Sequence, residues 1–426
     1  MIETIKNAWK IPDLRRKLLF VVFALVIFRF GYAIYVPYVD TEALADVFKQ
    51  YSDTLLGYFN TLSGGGFSQA SIFALSVYPY INSSIIMQLL QVAIPALERM
   101  VKDGGEEGRK KLASITRYVT IALSLLMGWT YYIMLRTSGV LTRTDLWSAI
   151  VIILTFTAGS SFIMWLGEQI NSKGVGNGIS LILFASIVSR GPSAVMSIIN
   201  GLKSGSMNVI SVIVILVVAV AMIAFIVFIT NAERRIPIQY AKRMVGRKMY
   251  GGQSTHLPMK VNMPGVMPVI FASSIVTFPG TIIQFLNPEE GSFWSNFGKA
   301  FSQGSLAYII VYALLIVGFA YFYATIQFNP IEVSNNLKRN GGFIPGFRPG
   351  KPTTDFIAKV LNKITLMGAL FLGIVAILPL IMSNIKGLGG LAIGGTSVLI
   401  LVGVALETVK QIEAQMLMRH YKGFLE

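Results

Sequence analysis

Apolar runs of about twenty residues, the length that crosses a bilayer core, alternate with short polar segments along nearly the whole chain. They predict ten membrane-spanning helices, over Leu18 to Tyr38, Ser76 to Leu97, Leu112 to Leu135, Leu146 to Leu166, Gly178 to Ile199, Val209 to Thr230, Val266 to Leu286, Leu306 to Phe328, Ile364 to Ser383 and Leu391 to Leu406. One stretch fits neither category. Residues 63 to 81, SGGGFSQASIFALSVYPYI, open on three consecutive glycines and are interrupted by Pro79, so they are too weak to span and too apolar for a connecting loop. The first apolar run follows a basic segment, as in a signal peptide, yet it lasts about twenty residues and no small-residue cleavage site follows, so it reads as a retained span.

Composition sharpens this picture. Hydrophobic residues make up 54% of the 426 and charged residues only 13%, far from the average of water-soluble domains. Cysteine is absent, which removes disulfide frameworks and thiolate metal sites. Basic residues retain a segment on the cytoplasmic side, and here every second segment is basic, from Lys6, Lys10, Arg15, Arg16 and Lys17 at the start to Lys410, Arg419 and Lys422 at the end. Both termini are therefore expected in the cytoplasm. The net charge of +16 gathers on one face, where anionic lipids or an anionic partner would meet it.

Two of the basic loops exceed what a connector requires. Residues 231 to 265 contain short alternating stretches around a GRKMYGGQS tip, the pattern of a projecting hairpin. Residues 329 to 355 include a Gly- and Pro-rich run, NGGFIPGFRPGKP. Loops of this length usually carry function, and docking of a soluble partner is the expectation for both.

Within the spans the chemistry is sparse. None of the 20 acidic residues falls near the middle of a predicted span; Glu168 and Glu407 come closest, at cytoplasmic ends. Ion-coupled transporters ordinarily place a carboxylate there. The two histidines, His256 and His420, form no zinc pair, and no nucleophile motif or metal site is present, so neither an enzyme nor a cofactor is expected. GVGNG at 174 to 178 lacks the lysine of a phosphate loop and reads as a flexible entry to the fifth span. Arg29 lies about eleven residues into the first span, roughly 17 Å deep at 1.5 Å per residue, where it needs a protein or water partner. Span 2 carries Asn82, Ser83, Ser84, Gln88 and Gln91, and span 7 carries Ser273, Ser274, Thr277 and Gln284. Such residues often serve helix contacts in lipid, but Pro79, Pro268 and Pro279 in the same spans also suit a seam that opens.

Five stretches closely resemble the SecY family, the channel-forming subunits of the bacterial Sec protein translocon: SGGGFSQASIFALSVYPYINSSIIMQLLQ, GEQINSKGVGNGISLILFASIV, RRIPIQYAKRMVGRKMYGGQSTHLPMKVNMPGVMPVIFASSIVTFP, NLKRNGGFIPGFRPGKPT and GLGGLAIGGTSVLILVGVALE. The resemblance runs end to end. It implies an all-α multi-pass membrane protein with ten transmembrane helices in two pseudo-symmetric five-helix halves around a central pore. On that reading residues 1–17 form a cytoplasmic segment, 18–200 the N-terminal half, 201–410 the C-terminal half and 411–426 a cytoplasmic tail. The half-apolar segment, about 55–75, matches the re-entrant plug helix, with Gly64, Gly65, Gly66, Phe67, Ser68 and Ile72. An apolar pore ring maps to Val77, Ile81, Ile179, Leu183, Ile270 and Ile400, and a lateral gate to Asn82, Ile85, Gln88, Ser274 and Phe278.

Arg247, Lys248 and Arg348 match the docking loops for a SecA ATPase or for the ribosome and its RNA. The resemblance also implies SecE-like and SecG-like small subunits, unfolded polypeptides bearing signal sequences as substrates, and the bacterial plasma membrane as the location. The expected function is a passive gated channel that passes secretory chains across the membrane and releases membrane segments sideways into lipid. A secondary transporter, or an insertase without a pore, are the rival readings.

Overall fold

The computed structural model describes residues 2–50, 60, 63–205, 208–240, 243–245, 248–250, 254–263, 265–286, 292–302, 305–383 and 395–422. Three helices open the chain, α1 (Ile2–Lys10), α2 (Pro12–Gly31) and α3 (Thr41–Gln50). After the turns at 63–77 come α4 (Tyr78–Ala93), α5 (Pro95–Asp103), α6 (Gly105–Thr137), α7 (Leu146–Lys173), α8 (Gly178–Ser189), α9 (Gly191–Lys203) and α10 (Val209–Asn231). Four strands follow, β1 (Glu233–Tyr240), β2 (Arg243–Val245), β3 (Lys248–Tyr250) and β4 (Ser254–Lys260). The chain then continues through α11 (Met267–Leu286), α12 (Phe293–Ala300), α13 (Leu306–Gln327), α14 (Pro330–Arg339), β5 (Gly342–Phe343), α15 (Lys351–Ser383) and α16 (Gly395–Lys422).

Every predicted span falls on a helix. Among the described residues six helices are long and apolar enough to cross a membrane, and a seventh if α4 and α5 count as one span bent by 96°. The bend has a local cause: Pro95 opens α5, and a residue before proline is driven out of the helical region, as Ile94 is at φ −109°, ψ 108°. Predicted spans 1, 7 and 10 overlap α2, α11 and α16, with residues 391–394 of the last outside the described residues.

One of the expected spans changes shape. The first ends at Gly31 and not at Tyr38, so Arg29 sits in the last turn of α2, where a cation suits the helix dipole, and not in midspan. The fifth continues through α8 and α9 as one span, Gly178–Lys203, with only a turn at Arg190 between them. The helical fold also carries a small sheet. β1 pairs antiparallel with β4 from Glu233↔Lys260 to Gln239↔Ser254, β5 pairs with the end of β1, and β2 pairs with β3, giving the hairpin expected at residues 231 to 265.

The chain forms two compact units: Met1–Asn208 with Thr277–Ser305 and Val404–Glu426, and Val209–Val276 with Leu306–Gly403. The first unit buries Leu44, Phe48, Phe67, Tyr131, Leu135, Ile152 and Phe156 in one cluster. In the second, Ile236 and Ile238, alternate residues on one face of β1, pack with Met259, Leu337, Ile344, Ile357 and Leu361. α10 buries only Ile215 and Ile226. A helix of mean hydropathy 3.6 with so little cover is a lipid-facing element.

Candidate functional site

The half-apolar segment lies in the first unit, and its described part, residues 63–77, is a succession of tight turns and not a helix. Asn60 is helical, while 55–59, 61 and 62 of the expected plug lie outside the described residues. The turns require backbone that most side chains avoid. Gly64 and Gly65 have φ of 67° and 92°, which glycine adopts without penalty, but Ala70 and Ser76 also sit at 44° and 50°. Local hydrogen bonds hold the turns: Gly65 N–H donates to the Asn60 carbonyl at 2.8 Å, Ser68 N–H to Asn60 Oδ1 at 2.9 Å, and Phe67 N–H to Ser63 Oγ at 3.1 Å. Val36 N–H donates to the Ala70 carbonyl and Ile72 N–H to the Ile34 carbonyl, tying the segment to the stretch after α2.

Aromatic rings form the seat. Phe67 stacks on Tyr131 of α6 with centroids 4.1 Å apart and meets Phe48 edge-on, and the Tyr131 hydroxyl donates to the Phe67 carbonyl. Phe73 lies between Phe28 of α2 and Phe162 of α7, parallel to both. The fit is close enough to leave no room for a Cβ at three glycines. At Gly66 one would overlap the Tyr32 ring, at Gly31 the Phe73 ring, and at Gly159 of α7 the Ile72 carbonyl oxygen.

The same seat leaves a polar group unserved. The Ser71 hydroxyl is buried without a hydrogen-bond partner, whereas the Tyr32 hydroxyl lies beside the hydroxyls of Ser76 and Ser186. Ser160 Oγ reaches the Ser76 carbonyl at 3.2 Å. A buried hydroxyl with no partner costs about 1–3 kcal/mol. Apolar packing thus holds the segment in place, while left-handed residues and the orphan Ser71 hydroxyl work against it.

Four of the six expected ring residues belong to the first unit, all buried: Val77, Ile81, Ile179 and Leu183. Val77 is the N-cap of α4, and Ile81 N–H donates to its carbonyl at 3.0 Å, so the two stack one turn apart. Ile179 and Leu183 do the same on α8, whose start is fixed by Asn177 Oδ1 accepting from Ile179 and Ser180 N–H and by Asn171 Oδ1 accepting from Gly178 N–H at 2.7 Å. GVGNG is therefore a capped entry to α8 and not a flexible one. Ile270 of α11 and Ile400 of α16, both buried, belong to the second unit.

On α4, Ile85 is buried, Asn82 half-buried, and Gln88 Nε2 donates to Ser84 Oγ at 3.1 Å. Ser274 Oγ returns to the Ile270 carbonyl at 3.0 Å. Phe278 lies in α11, and its side chain is outside what the structure describes. One member of the polar set in span 2 has a purely architectural use: Ser83 Oγ donates to the Thr116 carbonyl of α6 at 2.7 Å. The Arg117–Glu168 pair at 2.8 Å likewise joins α6 to α7.

In the second unit the sheet and α14–α15 carry the basic loops. Arg348 is exposed, and its carbonyl accepts from Thr353 Oγ1 at 2.8 Å, while the Ser334 hydroxyl caps the Gly350 carbonyl at 3.0 Å. The Phe347 ring packs against Phe356 with centroids 4.1 Å apart, tilted by 31°, so the loop that presents Arg348 is built onto the first turns of α15. Arg247 lies outside the described residues; Lys248 starts β3, with its side chain not described.

Sequence reasoning missed the seat itself. Tyr131, a polar-tipped ring within an apolar span, and the small-residue run TAGSS at 157–161 were the available signals. Arg29 Nη1 donates to Ser189 Oγ at 3.4 Å and the guanidinium lies over the Tyr32 ring at 5.5 Å, so the arginine at the end of α2 is a neighbour of the seat.

The SecY family profile matches residues 71–409. The chain is 42% identical to protein translocase subunit SecY of Thermotoga maritima, covering 100% of this chain and 98% of that protein. It is 43% identical to the subunit of Streptomyces coelicolor and 44% to that of Bacillus licheniformis, with 100% of both chains covered in each case. Among solved structures it resembles a protein-conducting channel, with TM-score 0.67, and a SecY whose plug domain stabilises the closed state and maintains a membrane seal, with TM-score 0.69; each is 19% identical over 97% of both chains. The canine Sec61 of a ribosome-channel complex gives 0.65 at 18% identity.

Proposed function

This chain belongs to the SecY family, and from that premise we propose that residues 63–75 are the movable seal of its pore. The protein is a gated, membrane-embedded protein-translocation channel and not an enzyme. The observation that carries the assignment of the seal is the segment's construction: irregular backbone, packed at depth on Tyr131, Phe28 and Phe162, yet strained at Ala70 and burdened with the orphan Ser71 hydroxyl. Such a segment is held but not locked.

Val77, Ile81, Ile179, Leu183, Ile270 and Ile400 would form the apolar ring that dewets when empty and accepts any chain without sequence-specific bonds. Residues 18–200 and 201–410 are the two halves on this reading, with α4 and α11 flanking a lateral gate through Asn82, Ile85, Gln88, Ser274 and Phe278. Cysteines at Asn82 and Phe278 should crosslink on oxidation and stop export reversibly, because a disulfide needs Cα atoms about 4.4–6.8 Å apart. Full export through a crosslinked chain would place the gate elsewhere. Arg247, Lys248 and Arg348 would dock a SecA-type ATPase or the ribosome, as the ribosome-bound relatives do. The bacterial plasma membrane with both termini cytoplasmic, SecE- and SecG-like subunits, anionic lipids and signal-bearing unfolded polypeptides complete the proposal.

Planar-bilayer recording tests the seal. Deleting residues 63–75 should raise the closed-state conductance of the reconstituted channel. An unchanged, ion-tight deletion variant would favour a poreless insertase, and coupled solute uptake would favour a transporter.

A further inference from the structure

The short helix α12, Phe293–Ala300, belongs to neither the seal nor the docking loops, yet it displays large apolar side chains to the outside. Phe293 is 73% and Trp294 53% exposed. With 3.6 residues per turn, Phe293, Trp294, Phe297 and Phe301 fall within an arc of roughly 100° and form one aromatic face. Their rings touch in sequence: centroids lie 5.9 Å apart for Phe293 and Trp294, 6.2 Å for Phe293 and Phe297, and 4.7 Å for Phe297 and Phe301.

The flank beside this face is built for contact with protein. A Cβ on Gly298 would lie 2.7 Å from Ile283 Cγ2, so the glycine lets α12 sit directly against the distal part of α11. In chain order α12 follows the end of α11 remote from the β1–β4 hairpin, and the next span begins at Leu306, itself exposed. On the membrane reading above, a chain that crosses along α11 and re-enters at Leu306 turns at a membrane boundary where α12 lies. Trp and Phe favour that zone because their ring bodies leave water while the indole N–H keeps a wet partner.

We infer that α12 is an interfacial anchor: its aromatic face lies in the headgroup region of the leaflet in which α11 ends, and Gly298 couples it to the distal end of α11. The occupant of the exposed face is phospholipid, about 5–10 Å into the headgroup–acyl boundary. A chain re-entering the bilayer at Leu306 leaves α12 little freedom to rise into water. The inference rests on the membrane reading above but not on the identity of the seal, so a failed seal assignment leaves it standing.

Trp294 is one of five tryptophans. A full-length variant with Trp9, Trp129, Trp147 and Trp165 replaced by Phe reports on α12 alone when reconstituted in phosphatidylglycerol–phosphatidylcholine vesicles. Lipids brominated near the headgroup should quench it more than lipids brominated at the chain ends, and aqueous iodide should quench it weakly. Strong iodide quenching without bromine quenching would show a solvated helix. Protection from both would show a protein partner or second copy on the face. Either result overturns the inference. If the fourfold variant does not fold, Phe293→Cys in the otherwise cysteine-free chain accepts a nitroxide, whose collisions should favour oxygen over a water-soluble nickel chelate. The reverse preference is the overturning result.

Discussion

Two irregular, glycine-bearing stretches of this chain, 63–77 and 340–350, solve opposite problems. The first is buried: Ser63, Phe67, Ala70, Ser71, Phe73 and Val77 all have under a tenth of their surface exposed. The second pins only Gly342 and Ile344 inward and leaves Pro345, Gly346, Phe347 and Arg348 exposed. Both use left-handed glycines, at Gly64 and Gly65 in one and at Gly341, Gly346 and Gly350 in the other. The difference is what surrounds the backbone. At 346 a Cβ would meet nothing within 4 Å, while at Gly66 it would strike Tyr32. In the exposed loop water satisfies any unpaired polar group, whereas in the buried one Ser71 goes without. On the proposed reading, a loop that water can serve is free to meet partners, and a loop that must be served by protein stores the tension that allows it to leave.

That contrast is breakable. The largest effect is expected from Gly159→Ala on α7, whose added methyl would overlap the Ile72 carbonyl. Neither backbone can yield cheaply, and overpacking of this kind costs about 1–3 kcal/mol. The seated state should lose up to roughly a hundredfold in population, at about 1.4 kcal/mol per tenfold, and closed-channel ion leak should rise accordingly in single-channel recording. A tight, wild-type-like closed state in a folded Gly159→Ala protein would mean that the segment does not seal.

A smaller change of opposite sign is expected from Ser71→Ala. It removes an orphan hydroxyl that is fully buried, so the seated state should gain on the order of 1 kcal/mol. Spontaneous openings should then become several-fold rarer and signal-sequence-triggered export slower. More frequent openings would show that the hydroxyl is served by a buried water and contributes to closure.

Arg348→Glu in the exposed loop should move thermal stability least, within about 0.5 kcal/mol, and should leave the leak untouched. Its effect is confined to the partner: motor-driven export into vesicles should fall while the protein expresses and folds normally. Undiminished export would remove Arg348 from the docking surface.

Much of this protein is legible one residue at a time. Apolar run length located the spans, because a bilayer demands about twenty apolar residues whatever the fold. Charge alternation separated the loops that carry Arg234, Lys260 and Arg348 from the rest, and the alternating pattern of 231 to 265 announced a hairpin that Ile236 and Ile238 then anchor inward. The missing midspan carboxylates argue against ion coupling. The motif resemblance supplies the expected plug and ring residues.

What remained closed to the sequence is whatever depends on neighbours distant along the chain. Hydropathy cannot tell that Arg29 lies in the last turn of α2, since Tyr32 to Tyr38 are nearly as apolar as the span before them. GVGNG reads as loose until Asn171 and Asn177 are seen to close on the start of α8. Gly159, Tyr131 and Phe162 are separated from residues 63–77 by tens of positions, and nothing local to them says which segment they will receive. Periodicity and charge act through the solvent, water or lipid, which every residue meets independently. The seat of Phe67 and Phe73 is a matter of shape, decided only when rings from α2, α6 and α7 have closed around it.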